Sequence, residues 1–278
     1  MMKIKVWGCR GSLPSPGPEN IVYGGNTSCV QIIKDDLCII LDGGSGIQRL
    51  GKFISKDVKE IHILLTHLHI DHTMGLGFFQ PLYNPNTQVH LWGPATSVEP
   101  LLHRLRRYFS PPLFPVRLNE LPNHPEIHEI GDSEFSIGPL KFKTSYIGHA
   151  GPTLGYRVVD GNKTFVYMPD HEPSLASVDF PNLPEWTSGY DLAKDADLLF
   201  HDGEYTPEEY RTKIGWGHSS MNDAIHFGRV CGVKKLAIFH HDPLNSDQQL
   251  EKIFDEAMEK ESPSFDVSLC KEGDIYEI

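Results

Sequence analysis

From Thr66 to His72 the chain reads Thr-His-Leu-His-Ile-Asp-His, placing three imidazoles and a carboxylate within six residues. Neutral imidazole suits zinc, copper, iron and nickel, while carboxylate suits harder ions. A mixed His/Asp set without thiolates points to hydrolytic metal chemistry. The cluster follows Ile61-His62-Ile63-Leu64-Leu65, which reads as a buried strand, so the donors sit where a strand gives way to a loop. Side chains alternate with period two in an extended segment, so His67 and His69 point the same way and one ion can take both. The chain turns next, and Asp71 and His72 aim toward a second ion. The competing reading, a His-rich surface loop, does not account for the apolar strand that leads into the cluster.

Four further segments share one format, an apolar strand that ends in a metal-competent residue. The segment from Phe142 ends at His149, that from Thr164 at Asp170, that from Leu236 at His240 and that from Leu37 at Asp42. A lone strand-terminal aspartate is ordinarily a turn former. Gathered at strand ends, the set makes a dinuclear site on the rim of a sandwich.

The elements that must carry these residues alternate between β and α patterns. Strands are expected over 3–7, 29–33, 37–41, 61–65, 88–92, 140–145, 155–159, 164–168, 198–201, 235–239 and 265–270. Helices are expected over 47–53, 98–108, 221–230 and 248–260. Ser220 with Asp223 and Ser246 with Gln249 have the spacing of capping boxes, in which the serine hydroxyl satisfies an open N–H at the helix start. Many strands with helices between them imply sheets covered by helices, an α/β class. No linker or low-complexity tract divides the sequence, so a single domain over 1–278 is expected. Residues 110–134 hold five prolines and read as a long surface connection, either a wall or lid of the site or a structural crossover.

The order H-x-H-x-D-H, then His, Asp and His, resembles the metallo-β-lactamase superfamily over nearly the whole chain, from Gly8-Cys9-Arg10-Gly11-Ser12 to His240. The resemblance implies a four-layer αβ/βα sandwich of two mixed β-sheets flanked by helices. It implies that His67, His69 and His149 hold one ion and that Asp71, His72 and His240 hold another. Asp170 would bridge them, and Asp42 would orient a ligand imidazole. The cofactor expected is two divalent metal ions, zinc by default, with manganese or iron also tolerated by such a donor set.

Asp197-Leu198-Leu199-Phe200-His201-Asp202 and Gly217-His218-Ser219-Ser220 narrow the resemblance to the phosphodiesterase branch, which holds RNase Z and the small cyclic phosphodiesterases. Members of that branch carry an extra histidine at a helix start, oriented by an upstream acid. His218 and Asp202 match those positions, although RNase Z has the longer glutamate at the second. Asp71, His218 and Asp202 are therefore the candidate catalytic residues, with Asp71 doubling as a ligand. The expected function is hydrolysis of small or cyclic phosphodiesters, cyclic nucleotides among them, by a hydroxide shared between the two ions. The alternatives are a lactonase or β-lactamase-like acyl hydrolase, which does not need the dyad, and an RNase Z-like RNA-processing nuclease. Oxygen-reducing diiron members carry Glu at the position of His69, so this sequence departs from them.

Composition bears on partners. Net charge is −12, whereas a protein that grips long nucleic acid carries excess Lys and Arg. RNase Z also inserts a long arm for tRNA between its His and Asp motifs, and here about twenty residues separate His149 from Asp170. A small phosphodiester substrate is expected rather than a long polyanion. Arg104, Arg106 and Arg107 read as a solvated helix face, with a phosphate clamp as the alternative. The glycine loops 8–12 and 24–28 can present N–H groups to a phosphate or serve as tight turns.

No apolar run approaches the roughly 20 residues of a membrane span. The start Met1-Met2-Lys3-Ile4-Lys5-Val6-Trp7 alternates like a strand rather than a signal peptide. Five cysteines with no C-x-x-C spacing suit reduced thiols, used mainly in packing, in a cytoplasmic protein. A homodimer is the default assembly where a chain of this kind oligomerises. His171, His201 and His241 neighbour site residues and are candidates to touch substrate. His62, His90, His103, His124, His128 and His226 read as surface or satisfied core groups.

Overall fold

The computed structural model describes residues 1–174, 180 and 183–278. The chain builds one sheet with its first half and a second with its second half. The first half comprises β1 (Lys3–Gly8), β2 (Cys29–Lys34), β3 (Leu37–Leu41), α1 (Gly46–Phe53), β4 (Glu60–Leu64), α2 (Ile70–Thr73), β5 (Gln88–Pro94), α3 (Leu101–Tyr108) and β6 (Glu126–Ile130). The second comprises β7 (Ser133–Ile137), β8 (Leu140–Tyr146), β9 (Leu154–Asp160), β10 (Lys163–Met168), α4 (Tyr190–Ala193), β11 (Leu198–Asp202), α5 (Pro207–Thr212), α6 (Met221–Cys231), β12 (Lys235–Phe239), α7 (Asp247–Glu261) and β13 (Asp266–Leu269). A last strand, β14 (Ile275–Glu277), returns to the first sheet beside β1.

The strand orders are β14-β1-β2-β3-β4-β5-β6 and β13-β12-β11-β10-β9-β8-β7. Both sheets are mixed: β3 to β6 run parallel, as do β10 to β13, and the remaining pairs are antiparallel. A parallel strand covered on both faces reads as a nearly continuous apolar run, which is why Leu37-Cys38-Ile39-Ile40-Leu41 shows no alternation. Ile39 and Leu41 face the other sheet, while Cys38 and Ile40 face the outer helices. The central layer includes Phe142, Phe165, Phe200 and Phe239. Deleting one such ring costs about 3–5 kcal/mol. α1 and α3 cover the first sheet, and α4, α6 and α7 cover the second.

Expected strands and helices form with ends shifted by a few residues. The expected helix over 98–108 starts at Leu101, because Pro100 is extended and the residue before a proline avoids the α region. Ser220 and Ser246 cap α6 and α7 as their spacing implies. The long surface connection expected over 110–134 is only partly that. It contains a short 3₁₀ turn at Leu118–Glu120 and β6, whose Glu-Ile-His-Glu-Ile sequence is polar because it is an edge strand. β7 and β14 are also edge or short strands without a strong apolar pattern. No helix among the described residues is long and apolar enough to cross a membrane. All five cysteines are buried and unpaired.

Candidate metal centre

In open α/β sheets, ligands gather beyond the carboxyl ends of the strands. Here β3 leads into Asp42, β4 into His67, β10 into Asp170, β11 ends at Asp202 and β12 leads into His240. Asp42 and His240 both have left-handed backbones, with φ of 60° and 59°. Such conformations are uncommon for residues with a Cβ and recur at functional sites. Gly11 permits the close approach of His240, since a Cβ there would lie 2.3 Å from His240 Nδ1.

Two donor groups result, and they share Asp170. The first comprises His67, His69, His149 and Asp170, and the second Asp71, His72, Asp170 and His240. In the first, Asp170 Oδ2 lies 3.6 Å from His67 Nε2 and 3.7 Å from His149 Nε2, and His149 Nε2 lies 3.2 Å from His69 Nδ1. In the second, His72 Nε2 lies 3.2 Å from Asp71 Oδ2 and 3.0 Å from Asp170 Oδ1. His240 Nε2 lies 3.1 Å from Asp71 Oδ2 and 3.3 Å from Asp170 Oδ2. All seven residues named as ligands in the sequence are thus brought together.

The donors suit cations. His67 Nε2, His72 Nε2 and Asp170 Oδ1 are buried without a hydrogen-bond partner. The opposite ring nitrogens are engaged, which directs Nε2 of each ring at the centre. His72 Nδ1 donates to Asp42 Oδ2 (2.8 Å), His149 Nδ1 to the Gly217 carbonyl (2.7 Å) and His67 Nδ1 to Thr66 Oγ1 (3.0 Å). Burial lowers the pKa of His67 and His69, and that of His149 to about 4, so these rings are neutral. Burial also opposes charge on His72 and His240, but there Asp170 and Asp71 outweigh it and raise both. The carboxylates that draw protons to those rings are the charges that would draw a cation.

His218 stands over this centre, stacked on His240 at 4.9 Å and edge-on to His149 at 4.9 Å. Its Nδ1 lies 2.6 Å from Asp202 Oδ2. Asp202 is wholly buried and also accepts the N–H groups of His171, Glu204 and Ser219. Burial works against charge on His218, yet Asp202 and Glu204 prevail and lift its pKa to about 9.

The sequence reading missed two acids. Glu204 Oε2 lies 3.2 Å from His218 Nδ1 and 3.3 Å from His240 Nδ1. Its signal was the spacing of two from Asp202, which places both carboxylates on one side of an extended segment. Glu172 is buried and accepts the N–H groups of Gly215 and Gly217 and the hydroxyl of Tyr210, which ties down the loop leading to His218. No local pattern marks Glu172.

A groove of about 740 Å³ opens beside His69. Ile70, Val98, Tyr108, Leu113 and Tyr146 give it a largely apolar wall, so part of the 110–134 segment does border the site. Arg104 and Arg107 line it too, but Arg104 donates to the carbonyls of Glu99 and Pro94, and Arg107 pairs with Glu99 at 2.7 Å. The glycine loop 8–12 is a turn rather than a phosphate cradle. Its N–H groups go to Asn26, to His241 and, from Ser12, to Asp71 Oδ2 (2.9 Å). His171, His201 and His241 are fully buried behind the site, hydrogen-bonded away from the groove.

Residues 39–241 match the profile of the Beta-lactamase superfamily domain. Among curated proteins, the chain is 23% identical to a ribonuclease Z of Haloarcula marismortui, over 86% of each chain. Among solved structures, it is similar to a metallo-beta-lactamase fold protein of Bacillus subtilis, with a TM-score of 0.72, 19% identity and full coverage of both chains. It is also similar to a diphosphatase from the PhnP family, with a TM-score of 0.68, 17% identity and coverage of 100% and 97%.

Proposed function

The chain belongs to the metallo-β-lactamase superfamily, and from that premise we propose that it is a metal-dependent phosphodiesterase acting on small or cyclic phosphodiesters. The observation that carries this reading is the His218–Asp202 pair beside the two donor groups. His67, His69 and His149 would hold one divalent ion and Asp71, His72 and His240 a second, with Asp170 between them. Zinc is the default for such a set, with manganese and iron also accommodated. When bound, such a pair supplies Lewis acidity toward phosphoryl oxygens and lowers the pKa of water.

The chain's own residues supply the rest. Asp202 holds His218 through Nδ1, which leaves Nε2 to carry a proton toward the leaving oxygen of a substrate in the groove. General acid assistance of this kind contributes about 10²–10⁴-fold. The apolar wall at Ile70, Val98 and Tyr146 suits the organic substituent of a small diester.

A second reading, an RNA-processing nuclease, is favoured by the curated ribonuclease Z relative. Against it stands the interval from His149 to Asp170, filled by the β9–β10 hairpin with only Gly161-Asn162 between its strands. An acyl hydrolase would leave the His218–Asp202 pair without a task.

The deciding experiment loads the protein with zinc or manganese and assays bis(p-nitrophenyl) phosphate, cyclic mononucleotides, a lactone and a precursor RNA side by side. Diester cleavage that falls about 10²–10⁴-fold in His218→Ala, with metal content unchanged, is the expected result. Lactone turnover untouched by His218→Ala, with no diester cleavage, would overturn the reading. Cleavage confined to RNA would favour the nuclease.

A further inference from the structure

Three histidines with no apparent role in the sequence meet on the inner face of the first sheet. His62, His90 and His128 lie on adjacent parallel strands β4, β5 and β6, where His62 is in register with His90 and Trp92 with His128. Period-two alternation puts Glu60, His62, His90, Trp92, Glu126 and His128 on one face. His62 and His90 stack at 4.6 Å, and Trp92 stacks on His128 at 4.0 Å. His62 precedes His67 by five residues, so the cluster lies about 16 Å along the strand from the catalytic rim.

The hydrogen bonds fix the tautomers of two rings. Trp92 Nε1–H can only donate, and it donates to His62 Nδ1 at 3.2 Å. The neutral His62 therefore carries its proton on Nε2, 3.3 Å from Glu60 Oε1, and has no lone pair to give a cation. His90 Nε2 lies 3.0 Å from the same Glu60 oxygen and donates to it, which leaves His90 Nδ1 bare. That lone pair faces His128 Nε2 at 2.9 Å and Glu126 Oε2 at 3.5 Å, and His128 Nε2 lies 3.8 Å from Glu126 Oε2. Around a tetrahedral zinc with bonds near 2.0–2.1 Å, neighbouring donors stand roughly 3.3 Å apart. The three separations bracket that edge length. Glu60 behind His90 is the carboxylate that holds a ligand imidazole in place at such sites.

We infer that His90 Nδ1, His128 Nε2 and Glu126 Oε2 form a third cation site, separate from the catalytic rim, for one divalent ion of the zinc class. Two imidazoles and one carboxylate favour zinc, cobalt, nickel or copper over magnesium or calcium. His128 and Glu126 are partly exposed, with side-chain accessibilities of 30% and 57%, so an ion can enter from solvent. His128 is lowered in pKa by burial and by its neighbour His90, which keeps its ring neutral. An ion there would clip β6, an edge strand, to β5.

The test uses protein already saturated at its rim and titrates it further with Zn²⁺ or Co²⁺, reading bound metal by equilibrium dialysis and the cobalt visible spectrum. The wild type should bind one ion more per chain than His128→Ala or Glu126→Gln, with a four-coordinate cobalt spectrum for that ion. Phosphodiesterase activity should be equal in all three. Glu126→Gln replaces an exposed side chain with one of equal size, so loss of the ion in that variant cannot be put down to misfolding. No additional saturable ion in the wild type, or one retained by both variants, would overturn the assignment and leave a metal-free ladder in which His128 donates to His90.

Discussion

Asp42 Oδ2 accepts a hydrogen bond from His72 Nδ1 at 2.8 Å, with neither side chain exposed to solvent. The same carboxylate accepts from Thr66 N (2.8 Å) and from Tyr167 Oη (3.0 Å). It therefore orients His72 directly and, through Thr66, steadies His67. Asp42→Asn keeps the volume but puts an NH₂ against one of these donors. Affinity for an ion held by Asp71, His72 and His240 should fall about 10–100-fold, the usual effect of losing such a partner. Competition against a chelator measures it, and unchanged affinity would remove Asp42 from the site.

Glu204 and Asp202 separate by what they touch. Glu204 reaches both His240 and His218, whereas Asp202 reaches His218 and backbone N–H groups. Glu204→Gln should weaken an ion held through His240 about tenfold and slow turnover as well. Asp202→Asn should slow turnover while metal content holds. Metal analysis beside a diester assay distinguishes the two, and identical metal content in both variants would count against a role for Glu204 at His240.

Glu172 acts on the loop that carries His218. Its removal in Glu172→Ala leaves the N–H groups of Gly215 and Gly217 short of an acceptor. A buried donor so abandoned costs about 1–3 kcal/mol. Amide hydrogen exchange at 215–218 should accelerate and kcat should fall. Glu172→Gln, which keeps an acceptor oxygen, should recover part of both. Exchange rates unaltered in the alanine variant would show that the loop is held by other contacts.

Acid sensitivity follows from His201. Burial lowers its pKa to about 4, against which its Nδ1–H bond to the Asp202 carbonyl is a smaller, raising influence. Its other neighbours are His171, at 2.9 Å through His201 Nε2, and the apolar ring of Phe227. Between pH 6.5 and 4 the unfolded chain binds a proton here that the folded chain refuses. Stability is therefore complete above about pH 6.5 and declines as pH falls toward 4, by about 3 kcal/mol from this group. Urea unfolding at pH 7 and pH 4.5 should show a smaller acid loss in His201→Gln than in the wild type. An equal loss in both would clear His201 of the effect.

What could be read from the sequence is local. Period-two geometry places His67 and His69 together, a strand end exposes Asp170 and His240 to a rim, and a continuous apolar run signals a strand covered on both faces. These features depend on a few consecutive residues, so the seven candidate donors and both helix caps are legible in the sequence. The edge strands β6, β7 and β14 were not, because a strand with one free side does not need an apolar pattern.

Strand pairing and packing decided the rest. Glu172 meets Gly217 across 45 positions, and His90 meets Glu126 and His128 only because β5 and β6 pair in one register. Slip that register by one residue and His128 turns to the opposite face. Sequence spacing says which donors exist and roughly where each element presents them. The angle and register at which distant elements pack determine which lone pairs converge, and those are properties of the whole sandwich rather than of any segment.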